Sequence, residues 1–329
     1  MRKPLSMTLT LVLLVSLSLF VEVATSAASV AQFPERPIRM IVPQGIGAST
    51  DILARMLAVK FADALGQQMV VDNRAGASGM IGMELAARAA PDGYTLLSTS
   101  TGFQVIVPQL RKKLAFDPFG DLTPISLYAV TQSVLVTHPS LPATLQEFIA
   151  YAKARSGKLN IASAGTGTQS HLAGVQFKLA TGIDVVNVPY KGGGPLVAAV
   201  IANESQFSIS PLPAYLSHIL AKRVRALGTG GNKRSPHLPD VPTIAEAGVT
   251  GFASTGWVGL MAPRGTPRPI FDKLHATLLK VMSEPEVRQL IERQGAEPVT
   301  GTPAEFSRFI RAEWDRYGQT IKAARITAE

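Results

Sequence analysis

The chain has 329 residues, a formal net charge of +9 and no cysteine. Hydrophobic residues make up 46% and charged residues 17%, which excludes a disordered chain and leaves room for about two domains. The absence of cysteine excludes disulfides, thiolate metal sites and a lipid-modified cysteine. The positive residues are scattered and no basic run interleaves aromatic residues, so nucleic-acid binding is disfavoured.

The first 31 residues have the layout of a secretory signal peptide. Arg2 and Lys3 precede an apolar run at 7–20, and small residues follow at 24–31. This order is typical of a signal peptide, and the apolar run is short for a membrane-spanning helix. We therefore expect an exported, soluble mature chain that begins between Ala27 and Gln32 and carries no lipid anchor.

Residues 37–102 alternate between predicted strands and helices. Strands are predicted at 37–43, 68–72 and 94–98, with helices between them that end near Gly66 and Ala90. Such alternation is typical of a parallel α/β sheet, in which ligands bind outside the carboxyl ends of the strands. The loops after these strands, including the one with Ser100 and Thr101, are therefore candidate binding segments.

The loop after the first strand has the composition of an anion-binding helix start. Gly45 and Gly47 allow a tight turn and a close approach to a ligand, and Ser49, Thr50 or Asp51 can cap the next helix. A helix start offers unpaired N–H groups and a partial positive charge. Asp51 is interpreted as a cap, and a direct bond to a ligand ammonium is the alternative.

The second half of the chain repeats this pattern. Strands are predicted at 133–136, 159–162, 185–188, 207–210 and 224–227, with helices between and after them. The loop from Ser163 to Thr168 again carries two glycines and hydroxyl groups before a helix. Two helix starts that can each bind an anion, far apart in sequence, indicate a cleft in which a ligand is held from both sides.

The C-terminal part returns to the first domain. A strand is predicted at 254–261 and helices at 270–282, 285–294 and 303–323. The segments 134–139 and 259–263 resemble each other, since both end in a proline before a helix, and they indicate two crossings between domains. We therefore predict domain 1 at 32–130 plus 229–329, with domain 2, 131–228, inserted in it.

The sequence offers weak support for catalysis. His171 stands beside Ser170, so a secreted hydrolase that uses His171 with Ser170 or Ser163 is the rival hypothesis; alternatively His171 holds the helix start by hydrogen bonds. The glycine loops lack the third glycine of a dinucleotide fingerprint, the P-loop ending and the Gly-x-Ser-x-Gly elbow, and no two histidines stand four apart. We expect no catalytic residue, cofactor or metal. Of two aromatic residues, Tyr190 is predicted to line the cleft and Trp257 to lie in the core.

Seven motifs follow one another along the mature chain, at 33–38, 43–55, 72–77, 90–96, 164–174, 188–192 and 239–248. Together they resemble the Bug family, the periplasmic substrate-binding proteins of tripartite tricarboxylate transporters that are related to TctC. The resemblance implies a periplasmic location and a bilobed periplasmic-binding-protein fold (type II-like), with two parallel-sheet α/β domains joined by crossing strands. It also implies a ligand carboxylate held by the two loops, partly through ordered water.

Two departures from the family pattern bear on the ligand. Ile46 separates the glycines of the first loop, which are usually adjacent, and Ser210 stands where the family commonly has an aspartate facing the cleft. An aspartate suits an amino group, so its loss favours a plain carboxylate or aromatic acid over an amino acid.

The resulting expectation is a non-enzymatic, monomeric protein that captures a di- or tricarboxylate or an aromatic acid for a membrane permease. A partner that presents ligand to a signalling receptor is the alternative. The predicted ligand-binding residues are Gln44, Gly45, Ile46, Gly47, Ala48, Ser49, Asp51, Ser100, Thr101, Ser163, Ala164, Gly165, Thr166, Gly167, Thr168, His171, Tyr190 and Ser210.

Overall fold

The computed structural model describes residues 32–323 and Ile326. The predicted signal peptide, 1–31, lies outside the described residues. Within the described part, no helix combines the length and apolar character needed to cross a bilayer.

The described residues form ten strands and ten α-helices. The strands are β1 Ile38–Val42, β2 Met69–Asn73, β3 Thr95–Ser100, β4 Leu122–Thr137, β5 Asn160–Ser163, β6 Val186–Pro189, β7 Phe207–Pro211, β8 Arg225–Thr229, β9 Thr255–Pro263 and β10 Ala296–Pro298. The helices are α1 Ser49–Leu65, α2 Met80–Ala87, α3 Val107–Leu110, α4 Leu145–Lys153, α5 Gln169–Thr181, α6 Gly193–Ile201, α7 Leu216–Leu220, α8 Arg268–Ser283, α9 Pro285–Arg293 and α10 Pro303–Ala323.

The first sheet has the strand order β2-β1-β3-β9-β4, with β10 beside β4. Strands β1, β2 and β3 are parallel, and their nearly continuous apolar sequences suit strands that are buried on both faces. Met40 packs with α1, α8 and α9 on one face, and Ile41 packs with α2, α3 and α10 on the other. The carboxyl ends of β1 and β3 therefore meet at one edge.

The second sheet repeats this arrangement with β7, β5 and β6 in parallel. Helices α4 and α5 cover one face, where Phe148 and Phe177 pack against Phe207. Helices α6 and α7 cover the other face, where Leu196 and Val200 lie in a separate buried cluster. The loop from β5 to α5 lies at the carboxyl edge of this sheet.

The two sheets are mixed, which corrects the expectation of two parallel-sheet domains. Strand β9 is antiparallel to β3 and β4, and β4 is antiparallel to β7 and β8. The reason is that β4 crosses between the sheets: its residues as far as Gln132 pair with β9, and those from Ser133 onward pair with β7 and β8.

The second crossing lies at Ser254, later than the predicted boundary at 228/229. Ser254 N–H donates to Gly230 O (2.8 Å), and its carbonyl accepts from Ser133 N–H (2.9 Å). Between the crossings, Ile244 and Phe252 pack into the core of the second sheet. We therefore divide the chain into a first lobe, 32–132 plus 255–323, and a second lobe, 133–254.

One other region differs from the sequence expectation. The predicted loop after β3 continues as a π-helical turn, Gly102–Ile106, and then as α3. Phe103, Val105 and Ile106 in this turn are buried in the first lobe, and burial of these apolar side chains favours the helical conformation.

Candidate functional site

A deep cavity lies between the lobes, at the carboxyl edges of both sheets. Its volume is about 40 Å³. The residues that line it are Gln44, Ala48, Ser49, Thr50, Ser100, Gly102, Phe103, Thr131, Ala164, Thr168, Gln169, Ser170, Gly193, Leu196, Ser210, Pro211, Ala214, Trp257 and Val258. A larger outer cavity of about 550 Å³ adjoins it and shares Gln44, Phe103 and Ala164.

The start of α1 reaches the deep cavity through Ser49 and Thr50. Behind it, the buried carboxylate of Asp51 accepts hydrogen bonds from Gly47 N–H (2.9 Å) and Asn73 Nδ2 (2.9 Å). The same carboxylate forms an ion pair with Arg55 Nε at 2.9 Å. Asp51 therefore holds the shape of the loop from behind and lies outside the cavity lining.

The start of α5 reaches the cavity from the second lobe and is held by neutral groups. Thr168 Oγ1 donates to Gly165 O (2.7 Å), and Ser170 Oγ accepts from Ala164 N–H (2.9 Å). Gly167 N–H donates to His171 Nδ1 at 3.1 Å. These bonds fix the loop, with Gly165 and Gly167 at positive φ, which glycine adopts without strain.

Helices α1 and α5 begin differently from helix α4. The surface helix α4 begins with a complete capping box, in which Thr144 Oγ1 accepts from Glu147 N–H and Glu147 accepts from Thr144 N–H. Helices α1 and α5 have no side-chain cap. The first-turn N–H groups of a helix have no acceptor within it, so α1 and α5 offer donors and a partial positive charge to the cavity.

A third helix start, that of α6, lines the same cavity through Gly193. None of the described residues that line the deep cavity carries a charged side chain. An anion held there would therefore be stabilised by backbone N–H groups and hydroxyls.

The two lobes are in contact across the cleft. Ser78 Oγ in the first lobe donates to Thr166 O in the second at 2.8 Å. Leu172 of α5 packs in the apolar cluster of the first lobe. A Cβ placed on Gly193 would lie 2.6 Å from Ala48 Cα, so only a glycine permits this backbone approach. The structure is thus a closed form.

The predicted residues fall into three groups. Gln44, Ala48, Ser49, Ser100, Ala164, Thr168 and Ser210 line the deep cavity. Gly45, Gly165, Thr166 and Tyr190 line the outer one. Ile46, Gly47, Asp51, Thr101, Ser163, Gly167 and His171 line neither of the two.

The members of the third group have other surroundings. Ile46 is 68% exposed, and its carbonyl faces Gly194 of the second lobe. Thr101 Oγ1 accepts from Trp257 N–H at 3.0 Å, which ties β9 to the π-helical turn. Direct ligand contact by this group remains a prediction.

Sequence reasoning missed several residues that line the deep cavity, including Phe103, Thr131, Leu196 and Val258. Trp257, which was assigned to the core alone, also lines the cavity. It packs edge-on against Phe306, with ring centroids 5.3 Å apart. The one available signal was that β9 begins at the edge where the other strands end.

The serine and histidine side chains of the hydrolase hypothesis are either hydrogen-bonded within the loop or buried. Ser170 Oγ is occupied by Ala164 N–H and Thr168 Oγ1, and His171 Nδ1 by Gly167 N–H. Ser163 Oγ is buried and has no partner among the described residues. Ser170 and His171 both hold the loop in place.

Two α/β lobes joined by two crossings, with uncapped helix starts facing a shared cleft, define a bilobed periplasmic binding protein. The chain belongs to the tripartite tricarboxylate transporter family of receptors (TctC), whose model matches residues 53–326. This is a family of solute-binding proteins and not of enzymes, so the expected class is confirmed and the hydrolase hypothesis is set aside.

Relatives match over nearly the whole chain. Protein BugT of Bordetella pertussis is 38% identical over 314 residues, which cover 94% of this chain and 96% of BugT. The structure of R. palustris Rpa4515 with adipate is 33% identical with a TM-score of 0.87, covering 90% of this chain and 99% of that one. MatC from Rhodopseudomonas palustris with bound malate is 31% identical with a TM-score of 0.83, covering 88% and 100%.

Proposed function

We propose that this protein captures a small organic carboxylate in the periplasm and delivers it to the permease of a tripartite tricarboxylate transporter. The observation that carries the proposal is that α1 and α5, one from each lobe, bring uncapped N-termini to the same deep cavity. Similar proteins with adipate and malate support the ligand class, and the family description supports the permease.

The two helix starts provide both affinity and a reason for closure. A carboxylate has two oxygens and accepts several hydrogen bonds, so N–H groups from both lobes can share it. Each lobe alone offers half of these donors, and the ligand therefore binds the closed form better than the open one. Differential affinity of this kind is what drives domain closure.

The test removes one backbone donor and leaves the helix in place. Ser49 is the first residue of α1, and Ala48 before it is extended, so a proline fits at position 49. Ser49→Pro lacks the N–H and the hydroxyl, whereas the control Ser49→Ala lacks only the hydroxyl. We expect Ser49→Pro to weaken carboxylate binding about tenfold more than Ser49→Ala does, as measured by calorimetry.

A thermal-shift screen of the wild type identifies the class. Acids that bind the folded state raise the melting temperature, while their neutral amides do not. Equal shifts with acids and amides, or no shift with any acid, would contradict the proposal.

A further inference from the structure

A turn at the edge of the first lobe, which we call the left-handed turn, has four consecutive residues at positive φ. They are Gly76 (123°), Ala77 (47°), Ser78 (55°) and Gly79 (90°). Glycine adopts such angles freely, but the Cβ atoms of Ala77 and Ser78 crowd the backbone there. The other described non-glycine residues at positive φ, Asn203 and Lys222, each stand singly after a helix. Two adjacent strained residues need support from their surroundings.

The first lobe by itself supports the left-handed turn weakly. Gly79 N–H donates to Gly76 O at 2.8 Å, which closes the turn. Arg111 Nη2 donates to Ala77 O at 3.1 Å, but both residues are exposed and water competes for this bond. These bonds within the lobe are present whether the cleft is open or closed.

The remaining support comes from the second lobe. Ser78 Oγ donates to Thr166 O at 2.8 Å, and this bond is partly buried. A Cβ placed on Gly165 would lie 3.4 Å from Ser78 Oγ, so the hydroxyl lies against the backbone of the loop that leads into α5. Opening of the cleft removes this contact, and the strain of the turn is then offset by the first lobe alone.

We infer that the left-handed turn is a latch that forms on closure, in which Ser78 positions the loop into α5 on the bound carboxylate. The inference rests on the proposed function, in which the ligand binds the closed form better than the open one. Because Ala77 and Ser78 are strained in the closed form and relaxed in the open one, the strain lowers ligand affinity and favours release to the permease.

Ala77→Gly removes strain and leaves every hydrogen bond of the turn in place. We expect it to stabilise the closed form alone, so that a carboxylate binds about fivefold tighter while the stability of the acid-free protein in urea does not rise. The probe for calorimetry is malate or adipate, whichever binds more tightly, or failing both the acid with the largest thermal shift. The matched control is Ala90→Gly, at an exposed alanine without positive φ, which should not tighten binding.

Two variants of Ser78 separate its hydrogen bond from its strain. Ser78→Ala removes the bond to Thr166 and keeps a Cβ, so binding of the same acid should weaken about fivefold. Ser78→Gly removes the bond and the strain together, so it should bind the acid more tightly than Ser78→Ala does. The control is Ser156→Ala, which removes a hydroxyl that donates to Asp184 Oδ2 within the second lobe and should leave binding unchanged.

Closure can also be measured without any acid. The chain has no cysteine, so Val59→Cys and Leu179→Cys, at exposed positions in the first and second lobes, accept one spin label each. Double electron–electron resonance then gives the distances between the labels in the open and closed forms. We expect Ala77→Gly to raise the ratio of closed to open molecules about fivefold and Ser78→Ala to lower it.

The outcomes distinguish this inference from the proposed function. If an acid binds but Ala77→Gly and Ser78→Ala bind it as the wild type does, the inference is wrong and the proposed function stands. The same holds if Ala77→Gly raises the stability of the acid-free protein at unchanged affinity, because the turn is then left-handed in both forms. If no acid binds, the proposed function is wrong, and unchanged label distances would contradict the latch as well.

Discussion

The loops that lead into α1 and α5 have similar sequences but are stabilised by different chemistry. Both follow a strand, both carry two glycines, and both present an uncapped helix start to the cavity. The first is held by a buried carboxylate, Asp51, with Arg55 and Asn73. The second is held by neutral groups, with His171 and Ser170 as acceptors for backbone N–H.

The loops also meet the opposite lobe in different ways. Next to the first loop, Gly193 brings backbone against the backbone of Ala48. The second loop is met by a side chain, Ser78, and Leu172 just after it enters the apolar cluster of the other lobe. A backbone contact tolerates no added atom, whereas a side-chain contact can adapt. The comparison therefore predicts that substitutions around the first loop lower stability or ligand affinity more than substitutions around the second loop do.

The largest effect on stability is expected for Asp51→Ala. The change removes the buried carboxylate that accepts from Gly47 N–H and Asn73 Nδ2 and that pairs with the exposed Arg55. Asn73 Nδ2 keeps its bond to Gln44 O, so the loss costs about 2 kcal/mol of the free energy of unfolding. Asp51→Asn keeps the shape and one acceptor, so its loss should be about half. Urea denaturation measures both. Losses within about 0.5 kcal/mol for both variants would show that the charge is not needed.

Gly193→Ala should weaken ligand binding at least tenfold without lowering the stability of the free protein. The added methyl meets the Ala48 backbone at 2.6 Å in the closed form only, and Gly193 has no positive φ that an alanine would strain. The matched control is Gly301→Ala, where the nearest atom is the movable end of Glu305 at 3.1 Å. Calorimetry measures the ligand affinity of both variants. Equal affinities would show that the backbone contact between Gly193 and Ala48 has no part in closure.

His171→Ala should cost about 1 kcal/mol of unfolding free energy, less than Asp51→Ala. It removes one neutral acceptor of a partly buried N–H, that of Gly167. His171→Asn places an oxygen near the position of Nδ1 and should restore most of the loss. If His171→Ala were as costly as Asp51→Ala, the contrast between the two loops would fail.

The smallest effect concerns pH and Asp72, which precedes Asn73, the residue of β2 that bonds to Gln44 and Asp51. Burial acts to raise the pKa of Asp72, but hydrogen bonds from Arg74 and Arg39 and their positive charges outweigh it and hold that pKa below its usual value. The stability that Asp72 contributes is therefore present above the unfolded pKa, about 3.9, and is lost as pH falls through the lower folded pKa.

Asp72→Asn tests this sign. The variant should be less stable than wild type by under about 1 kcal/mol at pH 7, since the arginines are partly exposed, and the difference should shrink as pH falls below the unfolded pKa. Urea denaturation at several pH values measures the difference. A difference that persists at the lowest pH would assign the effect to shape and not to charge.

The sequence by itself determined most of the helices and strands and the two loops, because their signals are local. The apolar spacing of Leu53, Leu57 and Phe61 specifies α1 within one helix, and Gly66 in the left-handed conformation ends it. The positions of Gly45 and Gly165 after buried strands likewise required no knowledge of the rest of the chain.

Tertiary structure alone decided where the chain divides into its two lobes and which residues of β9 line the deep cavity. Ser133 and Ser254 are 121 residues apart, yet their hydroxyls are 2.9 Å apart where the chain crosses twice between the lobes. Trp257 reaches the cavity only because β9 inserts antiparallel between β3 and β4. No local pattern encodes such pairings, since they depend on which sheet edges the packed helices leave free.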